Sequence, residues 1–452
     1  MKKTKNLTQG NVLSTLLQFA IPVLLAMFLQ ALYGGIDLLI VGQFGTTQDV
    51  SGVSTGSMLL LTLQSLVVGL TMGITVFVGQ KIGERKPEEA GKSIGSGIVL
   101  FSLLGILFSI LTIIFTKPLA RILHAPPEAF MQTCQYIQIC GAGLLFIVFY
   151  NLLGAIFRGI GDSKTPLLTV SIACIVNIVA DLIFVAIFKM GAFGAALATV
   201  LAQALSVLVS LAIIIKRGKK TKLPFEFHKS YIKLDGYYCK QQIKIGTPIA
   251  LQDFLVGISF LVIQTVVNSL GLIASAGVGV AEKVCGFIML IPSAISQSLS
   301  AFVAQNIGAG LEKRAKLSLK CGIAISLAMA CFIGTFSFFR GDILAGIFSK
   351  DVAVIASGHI YLKAYAIDTF LTSFLFCFIG YFNGMGKTFF TMIQGLVGGI
   401  AIRIPMVFIM KNLPNTNLFL IGLSTPIATF CQILMCFAYY FMLRKKTKLK
   451  AI

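Results

Sequence analysis

Apolar residues run through this 452-residue chain in long continuous stretches, without strict alternation with polar ones. A helix needs about 20 such residues to cross a hydrocarbon layer of roughly 30 Å. Twelve stretches meet that length and predict twelve transmembrane helices, near 14–41, 51–80, 93–116, 131–157, 165–188, 191–215, 245–268, 276–303, 318–339, 355–382, 388–410 and 418–443. Continuous runs predict helices, because lipid-facing barrel strands alternate apolar and polar residues. The opening MKKTK and the apolar run behind it lack a small-residue cleavage site, so the first stretch is read as a retained helix and not as a secretory signal.

Composition agrees with the pattern. Hydrophobic residues make up 57% of the chain and charged residues 12%, with a mean hydropathy of +0.92, which places it among integral membrane proteins. The net charge of +21 could suggest nucleic acid, but the basic residues sit on alternate loops. With the N-terminus placed inside, 28 of the 37 Lys and Arg residues fall on the cytoplasmic side, and only Lys117, Arg121, Lys189, Arg340, Lys350 and Lys411 face out. That asymmetry predicts an even number of spans with both termini cytoplasmic, and no nucleic-acid partner. The cluster KRGKKTK at 216–222 is also suited to contact with anionic lipid. The ten cysteines show no metal-ligand spacing and are expected to be small core residues.

Three landmarks recur at nearly one offset. FAIP ending at Pro22 returns as IGTP ending at Pro248, 226 residues on; GQKIG ending at Gly83 returns as AQNIG ending at Gly308, and FRGIG ending at Gly161 as FNGMG ending at Gly386, each 225 on. The chain therefore divides into an N-lobe over 1–215, a basic cytoplasmic linker over 216–244, a C-lobe over 245–443 and a basic tail over 444–452. Six spans per half is an even number, so the halves share one orientation and are expected to be related by a pseudo-two-fold axis along the membrane normal.

The repeated glycine turn is not a nucleotide cradle. A phosphate-binding loop needs G-x-x-x-x-G-K-[ST] between strand and helix, and position 381, where the earlier glycine would stand, is Tyr381. The turn is read instead as a tight helix connection in which Gly159 and Gly161 permit positive φ, Asp162 and Ser163 cap the following helix, and Pro166 fits its first turn.

Ionisable side chains at membrane depth cost roughly 2.5–3.5 kcal/mol each on insertion scales, so they point to use. Two qualify in the first half, Asp37 and Asp181. Tyr33 precedes Asp37 by four residues and Asn177 precedes Asp181 by four, which puts each pair on one helix face. These oxygens suit a hard cation such as Na⁺, or a proton. The repeat places Ile263, Ile400 and Ile404 opposite Asp37, Asn177 and Asp181, so the polar set is confined to one half. The second half carries Asp253, Glu282, Lys283, Lys363, Asp368 and Arg403, for which a salt-bridged network joining Arg403 to Glu282 or Asp368 is the structural expectation.

RGIGDSKTPL between the fourth and fifth spans, NGMGKT at the equivalent turn and the two six-helix halves resemble the multidrug and toxic compound extrusion (MATE) family over essentially the whole chain. The resemblance implies a V-shaped two-lobed secondary antiporter of the bacterial plasma membrane that exports amphipathic, often cationic compounds against inward Na⁺ or H⁺ flow. It implies an N-lobe cation site at Asp37, Asn177, Asp181 and Thr199, with no cofactor beyond the coupling ion. Some members bear an essential glutamate on the seventh helix, eight residues past its proline; Val256 stands there in this chain, and Asp253 or Asp368 is the remaining C-lobe candidate. The expected partners are a small organic substrate and membrane lipid, with the chain a monomer, no nucleotide and no enzymatic activity. A lipid-linked-sugar flippase of the same broad superfold is the alternative, carried by Lys283, Lys363 and Arg403.

Overall fold

A computed structural model of the chain describes residues 7–218 and 223–449. The basic N-terminal tail up to residue 6, positions 219–222 of the KRGKKTK cluster and residues 450–452 of the tail lie outside the described residues. The described residues form helices and no strand.

The first half contains α1 (Val12–Phe44), α2 (Thr47–Gly83), α3 (Pro87–Ile114), α4 (Thr116–Ile122), α5 (Phe130–Ala142), α6 (Leu144–Gly159), α7 (Lys164–Asp181) and α8 (Gly191–Gly218). The second half contains α9 (Gly236–Asn268), α10 (Leu272–Ile288), α11 (Leu290–Gly308), α12 (Glu312–Gly346), α13 (Val352–Gly384), α14 (Thr388–Leu396), α15 (Ile404–Lys411), α16 (Leu418–Gly422) and α17 (Ser424–Leu449). Among the described residues eleven helices are long and apolar enough to span a membrane, and a bent pair supplies a twelfth. The bent pair is α5 and α6, which the sequence pattern shows as one span; they meet at 52°. Gly143 sits between them, and a side chain there would collide with Val200 of α8. Its absence lets α8 come close at the position next to Thr199. The ninth predicted span ends at residue 339, and α12 loses helical geometry at Arg340 (φ −128°, ψ 34°).

Helix starts follow local chemistry. The Thr46 hydroxyl accepts from the Asp49 amide at 3.2 Å while the Asp49 carboxylate accepts from the Thr46 amide at 3.0 Å, a reciprocal cap on α2. Asp49 also accepts from the Ala192 amide at 2.9 Å, so one carboxylate fixes the start of α8 as well. Asp351 caps α13 one way only, its carboxylate accepting from the Ala353 and Val354 amides.

The chain divides into two compact units. Among the described residues, one holds 7–10, 17–250 and 304–311; the other holds 11–16, 251–303 and 312–449. Beside two smaller apolar clusters, the first is built mainly round two large ones. Ile74, Ile94, Phe101, Leu152 and Phe157 centre one, and Val41, Val53, Tyr136, Cys140, Val185 and Ala195 the other. The core of the second unit gathers Ile263, Val267, Val284, Tyr361, Leu362 and Val407. Lipid gives helices little hydrophobic reason to associate, so small residues that permit close approach do much of that work. Gly56 of α2 is one: a Cβ there would lie 2.5 Å from the Tyr136 ring of α5.

The turn between α6 and α7 shows what the glycine-rich repeat is for. Gly161 takes φ +83° and its counterpart Gly386 takes φ +71°, conformations open to glycine at little cost. Gly159 differs from expectation: it closes α6 with ordinary helical geometry, and what it supplies is closeness, since a Cβ would sit 3.0 Å from the Thr75 carbonyl oxygen of α2. Ser163 gives no cap. Asp162 does so alone, its Oδ1 accepting from the amides of Lys164 and Thr165 at 3.1 Å each. Its other oxygen receives the Thr165 hydroxyl at 2.6 Å and Arg217 Nη1, from the last turn of α8, at 2.5 Å.

Candidate functional site

Asp37 lies in the C-terminal third of α1, Asn177 and Asp181 in the last two turns of α7, and Thr199 in the third turn of α8. The first unit brings all four together. The Thr199 hydroxyl donates to Asp37 Oδ2 at 3.2 Å, and Asp181, Thr199 and Asn177 are the side chains that act most strongly on the Asp37 carboxylate. Asn177 and Asp181 have no exposed surface, Asp37 retains 5% and Thr199 7%. Among the described residues Asp37 Oδ1, both Asp181 oxygens and both polar atoms of the Asn177 amide are buried without a hydrogen-bond partner. Buried polar atoms are normally paired, so five orphans in one cluster require an explanation.

Backbone geometry singles out the same place. Directly after Asp181 the helix widens into a π-helical stretch, Leu182–Ile187. Such stretches are rare and recur at functional sites. Tyr33, one turn before Asp37, accepts from Gln203 Nε2 at 3.0 Å, and Gln203 stands one turn past Thr199 on α8. Tyr136, Cys140 and Cys174 lie within electrostatic reach of Asp37, and Tyr136 of Asp181 as well. Sequence reasoning did not select Gln203, although its four-residue spacing from Thr199 is the same signal that linked Tyr33 to Asp37. Tyr136 and Cys140 carried no signal, being two more apolar positions on a span. Two carboxylates, an amide and a hydroxyl form an oxygen-rich donor set of the kind hard cations prefer. Among the described residues no group of three or more His, Cys, Asp and Glu side chains converges as a transition-metal site would.

The charges of the second unit are arranged otherwise than expected. Among the described residues no ion pair joins Arg403 to Glu282 or to Asp368. Arg403, 5% exposed at the end of the π-helical stretch Val397–Arg403, donates from Nη1 to Ser259 Oγ at 2.9 Å, and its guanidinium lies 4.4 Å from the centre of the Phe260 ring. A hydroxyl and an aromatic face on α9 thus take the place of a carboxylate. Asp368, on α13, is buried beside Thr429 and feels Arg403 only at longer range. Glu282 is half-buried on α10, while its neighbour Lys283 and Asp253 on α9 are exposed.

Known proteins share this architecture. The structure superimposes on a MATE transporter crystallised with MaL6 at a TM-score of 0.92, 20% identity and full coverage of both chains. A MOP superfamily transporter from Pyrococcus furiosus matches equally well, at 0.92 and 20% identity, over 99% of this chain and all of that one. By sequence, the probable multidrug resistance protein YpnP of Bacillus subtilis is 28% identical over 87% of this chain and 86% of its own length. The multidrug export protein MepA of Staphylococcus saprophyticus is 24% identical over 90% and 88%. The MatE family model matches twice, over residues 22–183 and again over 248–409, the same 226-residue offset that separates Pro22 from Pro248. On these matches the chain belongs to the MatE family, the multidrug and toxic compound extrusion transporters, and is a multi-span membrane protein built to move small organic molecules.

Proposed function

We propose that the chain is a secondary antiporter of the bacterial cell membrane that exports amphipathic cationic compounds, driven by H⁺ or Na⁺ exchanged at Asp37, Asn177, Asp181 and Thr199. The observation that carries this reading is the adjacency of two buried carboxylates with unpartnered oxygens. Two such groups side by side out of water repel each other, and a cation shared between them relieves both the repulsion and the lost hydration. Arrival and departure of that cation change the local charge, and a change in charge can favour one conformation of the lobe over another. Coupling needs no more than different affinity for the ion in the two states. A membrane potential of 100 mV adds roughly 2.3 kcal/mol per charge moved, enough to shift such a population.

With both termini cytoplasmic, the inward gradient of either ion runs opposite to the exported compound. The test is efflux of a fluorescent organic cation from proteoliposomes under an imposed pH gradient or Na⁺ gradient, applied separately. Gradient-driven efflux by the parent protein that disappears in Asp37→Asn and Asp181→Asn supports the proposal and names the ion. Efflux that runs at the parental rate in both variants sinks it.

A further inference from the structure

Helix α9 presents three faces along its length. Gln252, Ser259, Ile263 and Val266 recur at helical spacing and are buried. Leu251, Phe254, Ile258 and Leu261 form a second stripe, apolar and partly or well exposed, as suits contact with lipid. On the other flank runs a third, Asp253, Gly257, Phe260 and Gln264, spaced i, i+4, i+7 and i+11. It differs from the lipid-facing stripe in carrying a carboxylate, an aromatic ring and an amide.

Asp253 lies near the middle of α9 and is open to water. Among the described residues no ion pair or hydrogen bond engages its carboxylate, and no other side chain acts on it. The one influence on it is the closeness of surrounding protein, so it lines a crevice and does not stand on the lipid-facing surface. A charge at membrane depth is costly, and those that persist face a watery interior and mark a pathway. Gly257, one turn on, has no packing reason to be glycine: among the described residues a Cβ there would meet nothing within 4 Å. Glycine inside a helix costs about 0.5–1 kcal/mol against alanine, and what it leaves here is room beside the carboxylate. Phe260 follows about 10 Å from Asp253 along the axis. The Arg403 guanidinium, 4.4 Å from the centre of that ring, holds it in place, and Ser259 Oγ holds the guanidinium at 2.9 Å. At the 226-residue offset the first half has Met27, Ala31, Gly34 and Leu38, so the shared scaffold does not require this stripe.

We propose that the stripe is a subsite for an aromatic organic cation. Asp253 takes the positive centre, the space at Gly257 admits the body of the molecule, and Phe260 packs against its aromatic part. A carboxylate and an aromatic ring are the two groups that attract such a cation. Arg403, against the ring, repels the positive end and so sets which way round the molecule lies. The site rests on the substrate class proposed above and adds where that substrate is held. It shares no residue with Asp37, Asn177, Asp181 and Thr199, so ion and substrate are recognised in different halves of the chain.

The measurement is equilibrium binding to the purified full chain, with no gradient present, of tetraphenylphosphonium and of triphenylphosphine oxide, a neutral molecule of similar shape. Asp253→Asn is expected to weaken binding of the cation about tenfold, equivalent to about 1.4 kcal/mol, and to leave the neutral compound unchanged. Asp253→Glu, which restores the charge, is expected to stay within about threefold of the parent for the cation. Phe260→Leu should weaken both compounds alike, by about two- to tenfold, because the ring contributes stacking and not charge. If Asp253→Asn binds the cation as tightly as the parent does, the subsite is wrong, even where gradient-driven efflux through Asp37 stands. Equal weakening of the neutral compound by Asp253→Asn marks a packing role and overturns it as well. A parent that binds the cation no better than the neutral compound removes the proposed substrate class, and this subsite with it.

Discussion

Two turns of common origin join the fourth span to the fifth, and only the first is tied down by charge. In the first half Asp162 caps α7 and holds Arg217 and Thr165, so the turn is fastened to the end of α8. In the second half two residues are missing and no carboxylate is present; Asn383 accepts from the Thr391 hydroxyl at 2.8 Å, a neutral bond between adjacent helices. The interiors differ in the same sense. Asp37, Asn177 and Asp181 face isoleucines in the repeat, and Ile263 lies fully buried in an apolar core. The nearest polar group to the counterpart of Asp181 is Arg403, opposite in sign, which aligns with Ala180 once the deletion is counted. Duplication thus preserved the helices and the glycine turns while charge chemistry diverged, as expected if one lobe handles the ion and the other is free to adapt to different contacts.

The largest effect that can break this comparison is at Asp37. Asp37→Asn is expected to reduce gradient-driven efflux to the level of protein-free liposomes while leaving the yield of folded protein unchanged. Ile263→Val, at the equivalent place in the other half, should lower unfolding stability by about 1 kcal/mol through lost packing and leave gradient dependence intact. If both substitutions damage coupling alike, the division of labour between halves is wrong.

Next in size is the first turn. Removing a charge-assisted bond from a largely buried site costs about 1.5–3 kcal/mol. Asp162→Asn and Arg217→Met should each lower unfolding stability by about 2 kcal/mol, and their double variant by little more than either alone, because the two act as one pair. The seven buried free cysteines give the assay, since a thiol-reactive dye reports unfolding as they emerge. Asn383→Ala in the second turn should cost about 1 kcal/mol, the ordinary worth of one neutral hydrogen bond.

Arg403 tests whether the second half carries coupling of its own. Its partners are Ser259 and the Phe260 ring, and the Ser259 hydroxyl keeps a bond to the Val256 carbonyl at 2.7 Å when the guanidinium is gone. Arg403→Met should therefore change stability by no more than about 1 kcal/mol and leave the ion dependence of efflux as it was. A change in which organic compounds are exported is compatible with the comparison; loss of the gradient response is not.

How much of this was legible in the sequence depended on how strictly physics limits the alternatives. Lipid demands helices of a minimum length, so the twelve spans could be read from apolar runs alone. Asp37 with Tyr33, and Asp181 with Asn177, could be read because a carboxylate at membrane depth is conspicuous and helical spacing fixes its companions. The 52° bend at Gly143 could not, because the contact that excludes a side chain there comes from Val200, on a helix some sixty residues away. Arg403 shows the same limit: its charge was visible, but the choice of Ser259 and Phe260 over Glu282 or Asp368 depends on how α9 is rotated against the eleventh span, and no local pattern encodes that rotation.

The smallest expected effect is at the start of the second span of each half. Thr46 caps α2 with its side chain, and 225 residues on, Gly271 occupies the equivalent place before α10, with φ +106° and no side-chain bond. Threonine is among the good N-cap residues and Thr46→Ala should cost about 1 kcal/mol. A simple transfer of that rule predicts that Gly271→Thr stabilises the second half. The backbone argues the reverse, because a β-branched side chain in that region of positive φ is strained by about 1–2 kcal/mol, which exceeds what the new cap could return. Gly271→Thr is therefore expected to lower unfolding stability by up to about 1 kcal/mol, and a measured gain would mean that the backbone there relaxes to the extended geometry seen at Thr46.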